Sequence, residues 1–309
     1  MYFPYFRGKR FELLAMAEMS PVLSGGSRVI PTIEPVRGAA QEMDLLRKLM
    51  GLGFPLVIIE NPIHGDFRTD HEQVQRLLRE ARDRQHLVAG FLLGPKSSLK
   101  DVQAFIRRNK ERQLAFYHMG SAAKPERINE LQGQTKVAFN VFLSGKSSAA
   151  YRRVFTAGKA VILEDPFGPR ERNEDYPPHE FYSDRHKTFI SEGFFGFGDF
   201  LIVGNQFKEK GGAALAVAIH LTNLESDSEV WIRHFLSDRT SGRGVDPGGK
   251  FLEALEKTVA FIKSKEIWRV TEGCRDFLDL YSRQHYPGLG AVKKISMKHH
   301  LELMNALLQ

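Results

Sequence analysis

Cysteine occurs once in this 309-residue chain, as Cys274. A single cysteine excludes an intramolecular disulfide and any cysteine-rich zinc site, and it fits a reducing cytoplasm. Its neighbours spell a helix interior, where a lone thiol is most often a small buried apolar residue. The chain also lacks any run of about 18 uncharged apolar residues, so no transmembrane helix is expected. The opening MYFPYFRGKRFELL has no basic stretch ahead of an apolar one, which argues against a secretory signal. There is no GxxxxGK[ST] loop, no GxSxG elbow, and no HxH or HExxH spacing, so a P-loop nucleotide hydrolase, an α/β-hydrolase nucleophile and compact metal chelation all lose support. Gly193, Gly196 and Gly198 come before a strand rather than after one, so they are no dinucleotide fingerprint. His299 and His300 are adjacent and diverge by about 100° on a helix. No internal repeat or low-complexity segment is visible.

What is present begins with charge. Lys and Arg total 44 against 37 Asp and Glu, for a net +7 and a pI near 9.4. That balance admits an anionic partner, with a nucleic acid or nucleotide as candidate ligand. The basic residues are dispersed, however. The run Arg107, Arg108, Asn109, Lys110 with Arg112 sits at a helix end and reads as a solvated face favoured by the macrodipole. The 23 phenylalanines indicate a large aromatic core.

Along the chain, short apolar runs alternate with helical patterns. After an extended start and a helix near Phe11, strands are expected at 28–36, 55–62, 86–94, 113–120, 135–143 and 159–167. Helices are expected at 39–50, 71–84, 98–108 and 125–131. Continuous apolar strands are buried on both faces, as in parallel sheets. The polar, proline-rich stretch 166–186 is too long for a simple βα loop and reads as a lid beside Asp165. The apolar runs of 196–239 bring the strand count to eight. The expected fold is therefore α/β, a TIM-like (β/α)8 barrel with a C-terminal helical extension. One domain, 1–309, is expected, with the barrel to about residue 265 and the extension over 266–309.

Ligands in parallel α/β folds bind at strand C-termini. Glu34, Glu60, His118, Asp165 and His220 fall near such ends and are expected to meet over the barrel mouth. The candidate catalytic set is Glu34, Glu60, Asp165, His220, His234 and Asp238. Carboxylates with imidazoles suit acid–base work or a divalent metal ion as candidate cofactor. Were 231–238 extended, His234, Leu236 and Asp238 would share a face, so Asp238 could orient His234. Lys9, Arg10, Glu12, Asp199 and Arg239 form the candidate ligand-binding set. Asp199 starts its apolar run and could face the opposite rim. The loop Ser241–Gly249 could cradle an anion through its backbone amides, with Arg239 and Arg243 beside it.

Six stretches resemble the bacterial and phage "beta protein" family: FRGKRFELLA (Phe6–Ala15), RVIPTIEPV (Arg28–Val36), GFGDFLIVG (Gly196–Gly204), AVAIHLT (Ala216–Thr222), IRHFLSD (Ile232–Asp238) and GLGAVKKISMKHHLELM (Gly288–Met304). The resemblance implies a barrel-like α/β fold and a part in phage–host conflict, without a settled activity. Lys9, Glu12, Glu34, Asp199, His220, His234 and Asp238 match its recurrent polar positions. Two readings follow. In one, a cytoplasmic phage-defence component recognises a phosphate-bearing or nucleic-acid ligand or a co-encoded effector protein. In the other, a barrel hydrolase acts on a phosphoester.

Overall fold

A computed structural model describes residues 1–209, 215–225, 227–238 and 245–309. In chain order the strands are β1 (Tyr5–Phe6), β2 (Thr32–Ile33), β3 (Leu56–Ile59), β4 (Leu87–Leu93), β5 (Gln113–His118), β6 (Val137–Leu143), β7 (Lys159–Leu163), β8 (His179–Ser183), β9 (Gly196–Gly198), β10 (Ala218–Leu224) and β11 (Val230–Leu236). The helices are α1 (Arg10–Glu18), α2 (Ser20–Ser24), α3 (Ala40–Met50), α4 (Glu72–Glu80), α5 (Leu99–Arg108), α6 (Pro125–Gly133), α7 (Ala149–Val154), α8 (Arg185–Thr188), α9 (Pro247–Lys263), α10 (Glu272–Ser282) and α11 (Leu289–Leu307).

Strands β1 to β7 and β9 form one parallel sheet in sequence order. The sheet closes on itself: Phe3 N–H donates to Phe197 O and Tyr5 N–H to Asp199 O, both at 2.8 Å. The fold is thus the expected eight-stranded parallel barrel. β3 (LVII) and β4 (LVAGFLL) are buried at every position, as strands covered on both faces must be. The seam needs glycine. A Cβ on Gly198 would lie 2.0 Å from Phe3 O, and one on Gly196 would lie 2.6 Å from Met1 O. Inside, Phe3 meets Phe139 edge-on at 4.9 Å and Tyr5 meets Tyr117 at 5.8 Å, so aromatic rings fill the barrel.

Two strands differ from the sequence expectation. The first barrel strand is the two-residue Tyr5–Phe6 segment, and among the described residues of the 196–239 stretch only Gly196–Gly198 enters the barrel. β10 and β11 pair antiparallel with each other, and β8 from the expected lid joins β11. A two-residue strand suffices for a barrel wall when neighbours supply the ladder, and no periodicity announces so short a strand.

The chain forms two compact units: Met1–Leu13, Ser20–Asp165 and Lys187–Asp199 in the first, and Leu14–Met19, Pro166–His186 and Phe200–Gln309 in the second. The second unit thus starts well before residue 266. In it α9 presents Phe251, Leu255, Val259 and Ile262 to Ile219 and Leu221 of β10, with Cys274 and Phe277 of α10 in the same core. Each such fully buried side chain is worth about 1.5–3 kcal/mol relative to exposure.

Candidate functional site

Register decides which strand-end residues face the barrel interior. Thr32 pairs with Val57, Val57 with Val88, and Ile59 with Gly90, so these share the inner face. Alternation then puts Glu34 inward and Glu60 outward. Thr32 Oγ1 and the Tyr117 hydroxyl hydrogen-bond across the interior, below Glu34.

Glu34 is the centre of the mouth. It is fully buried and forms a salt bridge with Arg7, itself 5% exposed. Its Oε2 also accepts from the Tyr5 hydroxyl at 2.9 Å. Its Oε1 accepts from the Ile63 N–H at 2.9 Å and lies 2.9 Å from His64 Nδ1. Arg7 Nη1 is also 2.9 Å from His64 Nδ1. Burial alone would raise the Glu34 carboxyl, but His64, Arg7 and the Ile63 amide outweigh it and hold the pKa down at about 2. A carboxylate so saturated is a poor proton acceptor and a good anchor.

Glu12 is also buried and accepts from the Arg7 N–H at 2.5 Å. Burial pushes its carboxyl up, opposed by Lys9 and by the backbone amides of Arg7 and Lys9. It therefore binds the turn that leads into α1. Lys9 is half-buried and Arg10 exposed at the start of α1. Asp165 is exposed just past β7. Asp199 follows β9 at the C-terminal end of the strand, not at the opposite rim, and accepts from the Tyr2 hydroxyl at 2.6 Å.

Glu60 and His118 do not reach the mouth. His118 lies on the outer face of β5, where its Nδ1 accepts from the Tyr151 hydroxyl at 2.9 Å and its Nε2 donates to Asn140 Oδ1 at 2.8 Å. Burial lowers its pKa to about 4. Glu60 points outward too. Its Oε1 accepts from Arg108 Nε at 2.8 Å and from Arg108 Nη2, and its Oε2 accepts from Asn109 Nδ2. The solvated reading of the 107–112 run holds for Arg107, Arg108 and Lys110, which are exposed, and fails for the other two. Asn109 and Arg112 are buried, and Arg112 Nη2 donates to Leu78 O at 2.7 Å. Buried carbonyls and a buried carboxylate demanded those donors, which sequence spacing does not reveal.

Arg108 also lines a groove of about 700 Å³ at the C-terminal ends of β3, β4 and β5. Phe91, Leu93, Pro95 and Met119 give it apolar walls, and Lys96 and His71 add nitrogen groups. Asp101 is the acid among its lining residues, and it is held by the Ser98 N–H at 3.2 Å and hydroxyl at 2.7 Å in the α5 capping box.

The remaining predicted residues lie in the second unit. His220 and His234 are directly opposite on β10 and β11, with their Nδ1 atoms 2.7 Å apart. The carboxylate beside His234 is Glu180 of β8, with Oε1 3.2 Å from Nε2. The expected Asp238 is instead largely exposed and bound to Lys257 Nζ at 2.6 Å, because the strand ends at Leu236 and the alternation stops there. So neither histidine stands at a barrel strand end. Arg239, Arg243 and residues 241–244 of the Ser241–Gly249 loop lie outside the described residues.

Cys274 is fully buried, as expected. His299 Nε2 donates to Thr222 O at 2.6 Å, so its Nδ1 is the acceptor that faces the Thr271 hydroxyl at 2.8 Å and Cys274 Sγ at 3.3 Å. Burial raises the thiol's pKa, with Thr271 opposing. A neutral, enclosed thiol is not a nucleophile. We expect Cys274 to resist Ellman's reagent at pH 8 in the folded protein and to react fully in guanidinium. Rapid labelling of the native chain would refute this assignment.

Among the described residues, no three His, Cys, Asp or Glu side chains gather to hold a metal ion. No helix among them is long and apolar enough to cross a membrane. No protein-family description matches the chain, and no curated protein matches it. Solved structures similar to it include tryptophan synthase from Mycobacterium tuberculosis, at 13% identity over 64% of this chain and 81% of that one, with a TM-score of 0.35. A mutant tryptophan synthase alpha-subunit from the hyperthermophile Pyrococcus furiosus has 14% identity over 64% of this chain and 86% of its own, also with a TM-score of 0.35. Likeness at that level has no bearing on activity, and the fold rests on the strand order and seam hydrogen bonds.

Proposed function

We propose that this chain is a recognition barrel that binds a phosphate-bearing small molecule, a mononucleotide, in the groove at the C-terminal ends of β3 to β5. The observation that carries the reading is Arg108. Glu60, 2% exposed, takes its Nε and Nη2 groups, while its side chain is 34% exposed in the groove wall. Nη1 has no hydrogen-bond partner among the described residues. A guanidinium held rigid by a buried carboxylate is pre-organised for an oxyanion, and phosphate is the geometry its planar donors match. The apolar walls suit a flat organic body, and the volume is that of a small-molecule site.

Recognition is favoured over phosphoester hydrolysis because Glu34 and Glu60 are both committed to arginines. The resemblance to the beta protein family extends the proposal to a part in phage–host conflict, with the bound ligand as the signal read.

Titration calorimetry with nucleoside mono-, di- and triphosphates at low salt tests it. At least one should bind, and Arg108→Met should weaken it roughly 10- to 100-fold, the worth of a charge-assisted hydrogen bond. Unchanged affinity in a folded Arg108→Met protein, or no binding across the panel, would sink the proposal.

A further inference from the structure

A second constellation lies in the other unit and shares no residue with the groove. Arg170 Nη2 donates to Glu180 Oε2 at 2.6 Å. Glu180 Oε1 is 3.2 Å from His234 Nε2, and His234 Nδ1 is 2.7 Å from His220 Nδ1. The Tyr176 ring stacks on His234 at 4.6 Å, and Phe167 meets His220 edge-on at 5.2 Å. Tyr176 is fixed in turn, its hydroxyl accepting from the Arg170 N–H at 3.2 Å.

This geometry dictates where the protons lie. A carboxylate oxygen only accepts, so His234 must carry its proton on Nε2. A neutral His234 then has a lone pair on Nδ1, and His220 must donate to it from its own Nδ1. His220 is left with a lone pair on Nε2, the reverse of the tautomer that free imidazole side chains prefer. Both rings stay neutral: burial disfavours the charged form of each, charging both at once would set two cations against each other, and the positive charge of Lys293 acts on His220 in the same direction. His220 Nε2 has no hydrogen-bond partner among the described residues, although the residue is only 7% exposed.

We propose that the Glu180–His234–His220 relay ends in a binding position at His220 Nε2 for an oxyanion that keeps a hydroxyl at neutral pH, as monohydrogen phosphate does. The hydroxyl donates to Nε2, and the positive charge of Lys293 favours the anionic body. An oxyanion without a proton, such as sulfate, meets the Nε2 lone pair with its own and is rejected. Discrimination comes from the tautomer, and the tautomer comes from a carboxylate two residues removed from the ligand.

The test uses the full chain labelled with nitrogen-15 histidine, observed by NMR at pH 7.5. His220 is expected as the Nδ1–H tautomer and His234 as the Nε2–H tautomer. Inorganic phosphate should shift the His220 Nε2 resonance, with sulfate at matched ionic strength at least roughly 10-fold weaker, the worth of one hydrogen bond to a charged group. Glu180→Gln offers an amide N–H to His234 and allows the relay to reverse, so it should narrow the preference for phosphate while the fold persists. An Nε2–H tautomer at His220, equal response to the two anions, or no response to either would overturn the proposal.

Discussion

Replacing Glu34 with alanine is expected to cost about 3–5 kcal/mol of unfolding free energy, the penalty for leaving a buried partner charge uncompensated. Arg7, 5% exposed, loses its salt bridge to Glu34. The Tyr5 hydroxyl and the Ile63 N–H lose their acceptor at the same stroke. The pair itself need not be a net stabiliser, because ordering and desolvating two charges offsets most of their attraction. That distinction is measurable. Glu34→Leu combined with Arg7→Met should recover most of what Glu34→Ala loses, whereas Arg7→Met alone leaves a buried carboxylate that keeps its hydrogen bonds from Tyr5 and Ile63 but loses its guanidinium partner. Urea unfolding of the wild type, Glu34→Leu, Arg7→Met and the double variant gives the cycle. A loss below about 1 kcal/mol for Glu34→Ala would show that Arg7 finds water or another acceptor, and Glu34 would then not be the anchor of the mouth.

Stability is expected to fall steeply as pH drops from 6.5 to 4, before the carboxylates begin to matter. His118 in the first unit and His299 in the second both have pKa values lowered to about 4. Burial is the leading cause for each, opposed by hydrogen bonds to Asn140 and to the Thr222 carbonyl. Above pH 6.5 both rings are neutral folded and unfolded, and nothing is lost. Below it the unfolded chain takes up protons that the folded chain refuses until about pH 4. Each ring then costs about 3 kcal/mol, taking 1.36 kcal/mol per pKa unit. His220 and His234, lowered as well, act in the same direction. Glu34 follows in a later window: its stabilisation is complete above about 4.5 and is lost as pH falls towards 2. Glu12, whose carboxyl is raised, works the other way and is relieved as it protonates. Against a total of about 5–15 kcal/mol for a domain, the histidine loss is decisive. Urea midpoints measured from pH 7.5 to 3 should show the slope, and His118→Gln should flatten it for the first unit. A constant midpoint between pH 6.5 and 5 would contradict the burial argument.

The site is legible in the sequence only in part. Glu34 stands out because an acid ending a proline-flanked apolar run is conspicuous. Its partners Arg7 and His64 are 27 and 30 residues away, and nothing local marks them. His220 and His234 stand out together, but the acid that sequence proximity offers them is Asp238. Glu180 does that job from a stretch that reads as a polar loop. Arg108 looks like one of several solvated helix-end cations until a buried carboxylate is placed against it.

The alternation of continuous apolar runs with amphipathic helices determined by itself that the chain builds a parallel α/β barrel, since such runs must be covered on both faces. Composition determined that no disulfide could help hold it. Tertiary structure alone decided which strand-end acid faces inward, because side chains alternate with a period of two and a shift of one residue moves Glu34 or Glu60 through the wall. It alone also decided that β10 and β11 leave the barrel for an antiparallel sheet. An apolar strand is equally satisfied in either setting, and only the seam from Gly196–Gly198 back to the chain's first residues shows that the ring was already closed.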